Sequence, residues 1–416
     1  MWPVTPEPAA PSSPPRKAAT RKAPARKAAA RKAAPAAPGA SDAADAPERP
    51  WAGPRRRGGR RDLYRPGMRA DVEQWSFASR VAAAILSRPG LVLRLTGSDG
   101  PVERGGRVLH RGVQALIQAA DALARATGAD RADDPLGTRD EFRRQTRLAM
   151  PVRTDVHVAG RRIPGPEGAP EIPVRVYRRF GVGVGRGPGD AAPSAIVFLH
   201  GGGWVVGDLD SHDASCRLLA AVTGCVVVAV DYRLAPEHPF PAAVEDALAA
   251  YAWVQRSHDE LGTAPGQVGV MGDSAGGNLA AVVALETRPG RPAHAPDVPP
   301  PVAQGLVYPA VDARLDSPSM DELAEGFFLT RAGMEAYRAL YLPDPADWTD
   351  LRASPLLAPD HAGVAPAVIV TAGFDPLRDD GRRYAEALRA AGVEVDLRCY
   401  DDQIHGFFGM GIIPEC

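Results

Sequence analysis

The sequence predicts an α/β fold: a mainly parallel central sheet with helices on both faces, and a helical cap. Three observations predict it. Short, almost wholly apolar runs recur at residues 195–199, 225–230, 268–271, 303–307 and 367–371. Segments with helical spacing of apolar residues, 216–222, 242–254, 275–285 and 378–391, lie between or after them. Loops rich in Gly, Pro and Asp follow each run. Strands apolar on both sides are buried on both sides, which requires helices above and below a largely parallel sheet. In such a sheet the chemistry lies in the loops at the carboxyl ends of the strands.

The chain has 416 residues, 45% of them hydrophobic and 24% charged, so burying a sizeable core is no difficulty. Its 43 Gly and 42 Pro make about a fifth of the chain, against roughly 12% in an average protein, and predict long irregular stretches. The formal net charge of −1 conceals an asymmetry. Residues 1–70 hold 16 Lys and Arg against 5 Asp and Glu, which leaves 33 basic and 45 acidic residues in the rest. A basic tail is joined to an acidic body.

In order along the chain, residues 1–66 come first. The pairs Arg16-Lys17, Arg21-Lys22, Arg26-Lys27 and Arg31-Lys32 repeat every five residues. Each step would turn a helix by about 140°, so the charges form no single face. Pro24, Pro35 and Pro38 interrupt it further. The segment reads as a disordered Ala/Pro/Lys/Arg-rich tail, either a solubilising extension or a weak contact, through residues 16–32, for nucleic acid or an anionic surface.

Residues 67–150 read as an N-terminal helical segment contributing to a cap. Helical spacing covers 72–85 and 108–126, with Arg88-Pro89-Gly90 as a break between structured pieces. Residues 151–416 form the catalytic domain. It opens with strands at 152–158 and 172–177, joined by the Gly/Pro-rich turn at 160–170. No apolar run reaches the roughly 18 residues of a membrane span, and the N-terminus lacks an apolar signal core. Four scattered cysteines, Cys216, Cys225, Cys399 and Cys416, suit neither a disulfide framework nor a metal cluster, so a reducing cytoplasm is the expected compartment.

Gly272-Asp273-Ser274-Ala275-Gly276-Gly277 follows the run 268–271 and opens a helix, the setting of a nucleophile elbow. Small neighbours are needed because the turn is tight. His200-Gly201-Gly202-Gly203-Trp204 follows the run 195–199, and its glycines leave backbone N–H groups free to face a developing oxyanion. The donors are assigned to Gly202, Gly203 and Ala275, with His200 as an organiser of the loop. A serine needs a base, and the base needs a carboxylate to fix its tautomer. Asp375 stands at a strand's carboxyl end, whereas Asp379 and Asp380 fall in a first helical turn, where acids suit the helix dipole anyway. His405 follows a further strand at 393–400 and is late in the chain. Ser274, Asp375 and His405 therefore form the candidate triad, in an order common to α/β hydrolases.

With these residues in view, the chain resembles the hormone-sensitive-lipase-like family of α/β-hydrolase esterases, also called bacterial family IV. HGGGW at His200, YRLAPEHPFPAA from Tyr232, GDSAGGN at Gly272, DPLRD at Asp375 and HGF at His405 carry the resemblance, which runs from about residue 150 to the end. Asp273 points to the GDSAG branch. The resemblance implies an α/β-hydrolase fold, hydrolysis of short- to medium-chain acyl esters through an acyl-enzyme intermediate, no cofactor or metal, and a lid built from N-terminal helices. It implies that Glu237 and His238 brace the elbow from behind. It also implies that aromatic residues line the substrate site, with Phe327, Phe328, Tyr337 and Tyr341 as candidates beside Trp204.

Two features depart from the family: the basic tail, and a C-terminus only eleven residues beyond His405, where the final helix is expected to be missing. An amidase or formamidase on the same triad, and a non-catalytic ligand-binding member of the fold, are the alternative functions. The expected partner is a small-molecule ester. The sequence leaves open whether the chain pairs as a homodimer.

Overall fold

The computed structural model describes residues 73–74, 76–97, 100–127, 139–182, 191–290 and 296–413. The tail, with its repeat at 16–32, and the last three residues lie outside the described residues.

Eight strands form one sheet: β1 (Val156–Ile163), β2 (Ile172–Arg179), β3 (Ala195–Leu199), β4 (Val226–Val230), β5 (Val268–Asp273), β6 (Gln304–Val307), β7 (Ala367–Phe374) and β8 (Val395–Ile404). Their order is β8-β7-β6-β5-β3-β4-β2-β1. From β3 to β8 all neighbours are parallel, and β1 and β2 are the antiparallel edge. All five residues of β4 are buried, as a strand covered on both faces requires.

Helices α1 (Phe77–Leu86), α2 (Pro89–Leu95), α3 (Arg111–Thr127) and α4 (Arg139–Ala149) precede the sheet. Within it come α5 (Asp213–Thr223), α6 (Ala242–Arg256), α7 (Ala275–Glu286), α8 (Arg331–Tyr341) and α9 (Arg378–Ala390). Helix α7, which begins right after Ser274, is buried at every position, consistent with an apolar sequence all round.

Several boundaries correct the sequence reading. The break expected at Arg88-Pro89-Gly90 is confined to Ser87 and Arg88, between α1 and α2, and Pro89 already starts α2, where its missing N–H costs nothing and its fixed φ suits a first turn. Helix α1 starts only at Phe77, because the Ser76 hydroxyl accepts from Ser79 N–H at 3.0 Å and caps it. The strand expected at 152–158 is broken, with a two-residue piece at Val152–Arg153 and β1 running on through Gly160 to Ile163. β8 extends four residues past the expected end. It is an edge strand with exposed polar residues, so its apolar signal fades before its backbone pairing does.

Helices α1–α3 share an apolar cluster with Phe374 and Ile404, the last residues of β7 and β8, and with Met410, Ile412 and Ile413 of the C-terminal segment. They therefore pack over the carboxyl ends of those strands. The C-terminal segment is tied in by Ile412 N–H, which donates to the Ala149 carbonyl of α4 at 2.7 Å. A Cβ on Gly112 would come within 2.7 Å of the Ile413 side chain, so α3 and this segment meet at van der Waals distance.

Candidate active site

Three strand ends deliver the candidate triad residues. Ser274 follows β5 with φ 54° and ψ −119°, a conformation that costs on the order of 1–3 kcal/mol and must be imposed by its surroundings. Those surroundings leave no room for side chains. A Cβ on Gly276 would lie 2.0 Å from the Leu199 carbonyl oxygen, and one on Gly272 would lie 2.3 Å from the Gly276 carbonyl. Ser274 N–H donates to Val307 O at 2.8 Å, and Asn278 Nδ2 donates to Ala310 O and Ala353 O, so the turn is tied to the loops after β6.

Asp375 and His405 come from adjacent strands. Phe374 and Ile404 are paired in register, so the next residue on each strand emerges beside the other. His405 Nδ1 lies 2.8 Å from Asp375 Oδ2, and His405 Nε2 lies 3.0 Å from Ser274 Oγ. A carboxylate can only accept, so Nδ1 carries the proton and Nε2 is left to accept from the serine hydroxyl. The other oxygen of Asp375 accepts from Leu377 N–H at 2.8 Å, and the residue is fully buried. The neighbouring acids do other things: Asp379 pairs with Arg378 and accepts from Ser319 N–H, and Asp380 is buried in α9.

The glycine loop after β3 lies beside the elbow. Gly202 and Gly203 have φ of 123° and 59°, and a Cβ on them would meet Val206 O at 2.2 Å and Tyr337 Cγ at 2.4 Å, so both backbone shape and space demand glycine. Val205 and Val206 N–H both donate to the Gly202 carbonyl, turning the chain sharply. Ala275 N–H belongs to the first turn of α7 and has no partner within the helix. Donors of this kind, held in place before any charge arrives, are what stabilises an oxyanion.

His200 is buried under this loop. Its Nδ1 donates to Gly201 O at 2.9 Å, its carbonyl accepts from the Tyr232 hydroxyl at 2.7 Å, and the two rings stack at 4.3 Å. Burial, reinforced by His212, pushes its pKa down to about 4, so it is a neutral structural imidazole. Asp273 is held ionised. Burial opposes its charge, but His212 at 3.4 Å and the Gly201 N–H, donating at 2.9 Å, outweigh it and keep its carboxyl below the usual range. The residue before Ser274 thus fastens the residue before Gly202 and Gly203.

The aromatic candidates separate. Tyr337 packs against Gly203, and exposed Phe328 lies against Gly406, next to His405. Trp204 and Tyr341 instead stack on each other at 4.6 Å, both buried. Phe327 is buried against Phe374. These three are buried in packed ring pairs, whereas Tyr337 and Phe328 stand beside the glycine loop and His405. A cavity of about 160 Å³ lies elsewhere, between Val102, Leu109, Gln114, Ile117 and Phe327, and includes no triad residue.

Glu237 and His238 do not brace the elbow. His238 is exposed, and Glu237 pairs with Arg139 of α4 at 2.8 Å. The same guanidinium donates to Val205 O at 2.7 Å and to Ala235 O at 2.8 Å, gripping the chain just beyond Gly202 and Gly203. Arg143 and Arg147, each a further turn along, pair with Asp208 and Asp210. The sequence reading missed this row, although its four-residue spacing was visible. It also missed Tyr308, whose ring lies 4.4 Å from that of His405. Among the described residues, no three His, Cys, Asp or Glu side chains are placed to hold a metal, and no helix is long and apolar enough to cross a membrane.

The description "alpha/beta hydrolase fold" matches residues 196–409. The carboxylic ester hydrolase LipN of Mycobacterium tuberculosis is 47% identical over 280 residues, which is 67% of this chain and 71% of that protein. The ethyl acetate hydrolase of Pseudomonas putida is 40% identical over 247 residues, 59% of this chain and 74% of that one. Among solved structures, the hyperthermophilic esterase of Pyrobaculum calidifontis superposes with a TM-score of 0.64 at 38% identity, covering 74% of this chain and 93% of that one.

Proposed function

The chain belongs to the hormone-sensitive-lipase-like group of the α/β-hydrolase family and is a serine carboxylic ester hydrolase; from that premise we propose that Ser274, His405 and Asp375 are its triad and that it acts on short- to medium-chain acyl esters. The observation that carries the assignment is the unbroken chain of contacts from Asp375 Oδ2 through both ring nitrogens of His405 to Ser274 Oγ, at 2.8 and 3.0 Å.

In this reading His405 Nε2 takes the Ser274 proton as Oγ attacks the ester carbonyl. The oxyanion forms against the N–H groups of Gly202, Gly203 and Ala275. His405 then hands its proton to the departing alcohol, leaving an acyl-enzyme, and activates the water that releases the acid. Asp375 keeps the imidazole in the required tautomer and stabilises it while it is charged. Tyr337 and Phe328, one against the oxyanion loop and one beside His405, are the residues we assign to substrate contact. Residues 67–150 act as the lid, and the repeat at 16–32 makes a weak contact with nucleic acid or an anionic surface.

Ser274→Ala is the test of the triad. Losing a triad member typically lowers kcat by about 10⁴ to 10⁶, and alanine is small enough for the turn. Hydrolysis of p-nitrophenyl butyrate at even a tenth of the parent rate would remove Ser274 as nucleophile. A panel of p-nitrophenyl esters of rising acyl length tests the substrate class: a maximum among long acyl chains would overturn it.

A further inference from the structure

The cap carries a face that the mechanism leaves unused. Residues 76–97 contain three arginines, Arg80, Arg88 and Arg94, and no acidic residue. All three are exposed, and none forms an ion pair among the described residues. On α1, Val81 and Ile85 stand one turn apart and are 44% and 53% exposed; on α2, Leu91 and Leu95 repeat the spacing at 54% and 79%. Other positions of the two helices, Leu86, Val92 and Leu93, already supply the buried side of the cap. Each helix therefore has an apolar pair beyond what its own packing consumes, and clustered apolar side chains left in water mark an interaction surface.

We propose that this α1–α2 face docks the enzyme on an anionic lipid bilayer. Charge decides among the occupants. Residues 1–70, with 16 Lys and Arg against 5 Asp and Glu, would bring like charge to a basic face. A second copy presenting the same face would set arginine against arginine. A nucleic acid would answer the arginines and leave Val81, Ile85, Leu91 and Leu95 uncovered. An anionic bilayer answers both: its headgroups take the guanidinium groups, and the apolar side chains enter the boundary below them. Lys- and Arg-rich residues 1–70 run into α1 and add attraction of the same sign. The proposal borrows from the ester-hydrolase reading only its purpose, to hold the site near esters dissolved in lipid, and vesicle binding is read without turnover.

The test is co-sedimentation of the full chain with vesicles of phosphatidylglycerol and phosphatidylcholine, and with phosphatidylcholine alone. The mixed vesicles should bind the chain and the neutral ones should not. Near an anionic surface each arginine is worth about fivefold, so Arg80→Gln/Arg88→Gln/Arg94→Gln should weaken binding on the order of a hundredfold. Val81→Ser/Ile85→Ser/Leu91→Ser/Leu95→Ser should weaken it by at least about tenfold, and Leu95→Ser alone by several-fold. The far-UV circular dichroism and melting temperature of all three variants should match the parent, which reports that they fold. Unchanged vesicle binding by the apolar variant would overturn the proposal, because the basic N-terminal residues would then account for attachment alone. A dimer that the apolar variants dissociate, without vesicle binding by the parent, would overturn it in favour of a second copy. DNA binding in place of vesicle binding would overturn it in favour of a nucleic acid.

Discussion

Phe374 and Ile404 are register partners across the last two parallel strands, and this one pairing sets Asp375 and His405 side by side. Just before it the register slips: Ala372 pairs with Tyr400, so Gly373 faces a bulged stretch of β8. A Cβ on Gly373 would lie 2.1 Å from the Asp401 carbonyl oxygen. Backbone cannot give way as a flexible side chain can. Gly373→Ala should push β8 outward, costing about 2–4 kcal/mol in urea denaturation and lowering kcat by at least about 100-fold. A variant with parent kcat would mean that the register does not control the dyad.

Arg139 should matter to turnover although it touches no reacting atom. Arg139→Ala removes donors from the Val205 and Ala235 carbonyls, beside the turn that carries Gly202 and Gly203. An acceptor left without its donor costs about 1–3 kcal/mol. We expect kcat to fall roughly 10- to 100-fold by that energy, with KM little changed, and Arg139→Lys to restore part of it. Glu237→Gln, which changes only the exposed pair, should have a much smaller effect. A loss carried by KM instead of kcat would show that Arg139 shapes the substrate site and not the oxyanion loop.

Asp231 gives the fold a pH dependence. Burial, with Asp208 adding to it, raises its pKa to about 6. The unfolded chain ionises this group near pH 4, so the folded state is at no disadvantage below that pH and loses stability as the pH rises to about 6. Above that the loss is complete, up to about 3 kcal/mol. Asp231→Asn should therefore be more stable than the parent at about pH 8 and equal to it at about pH 4. Equal stability at both pH values would show that the carboxyl is well solvated.

Much of the site was legible because its signals are local. The glycines around Ser274 and those after His200 stand next to the groups they serve, and the buried runs before them mark strand ends without reference to distant residues. What escaped depends on partners far along the chain. Helix α4 is almost entirely polar, and no apolar stripe announces it; it is fastened by Arg139, Arg143 and Arg147 to acids some 60 to 100 residues away. The link from Asp273 to Gly201 joins two motifs whose separate meanings were clear, while their contact was not. Glu237 was misplaced for the converse reason: its motif resembled a family signature, and its partner lies in a helix that had not been found.

The row of arginines on α4 also has a thermodynamic consequence. Whatever the helix contributes to holding the oxyanion turn, an occupied turn must return to the helix, because coupling between two equilibria is reciprocal. A phosphonate bonded to Ser274, with its oxygen against Gly202 and Gly203, should therefore slow amide hydrogen exchange along residues 139–149 without touching one of them. The outer helix becomes a gauge of whether the site beneath it is filled.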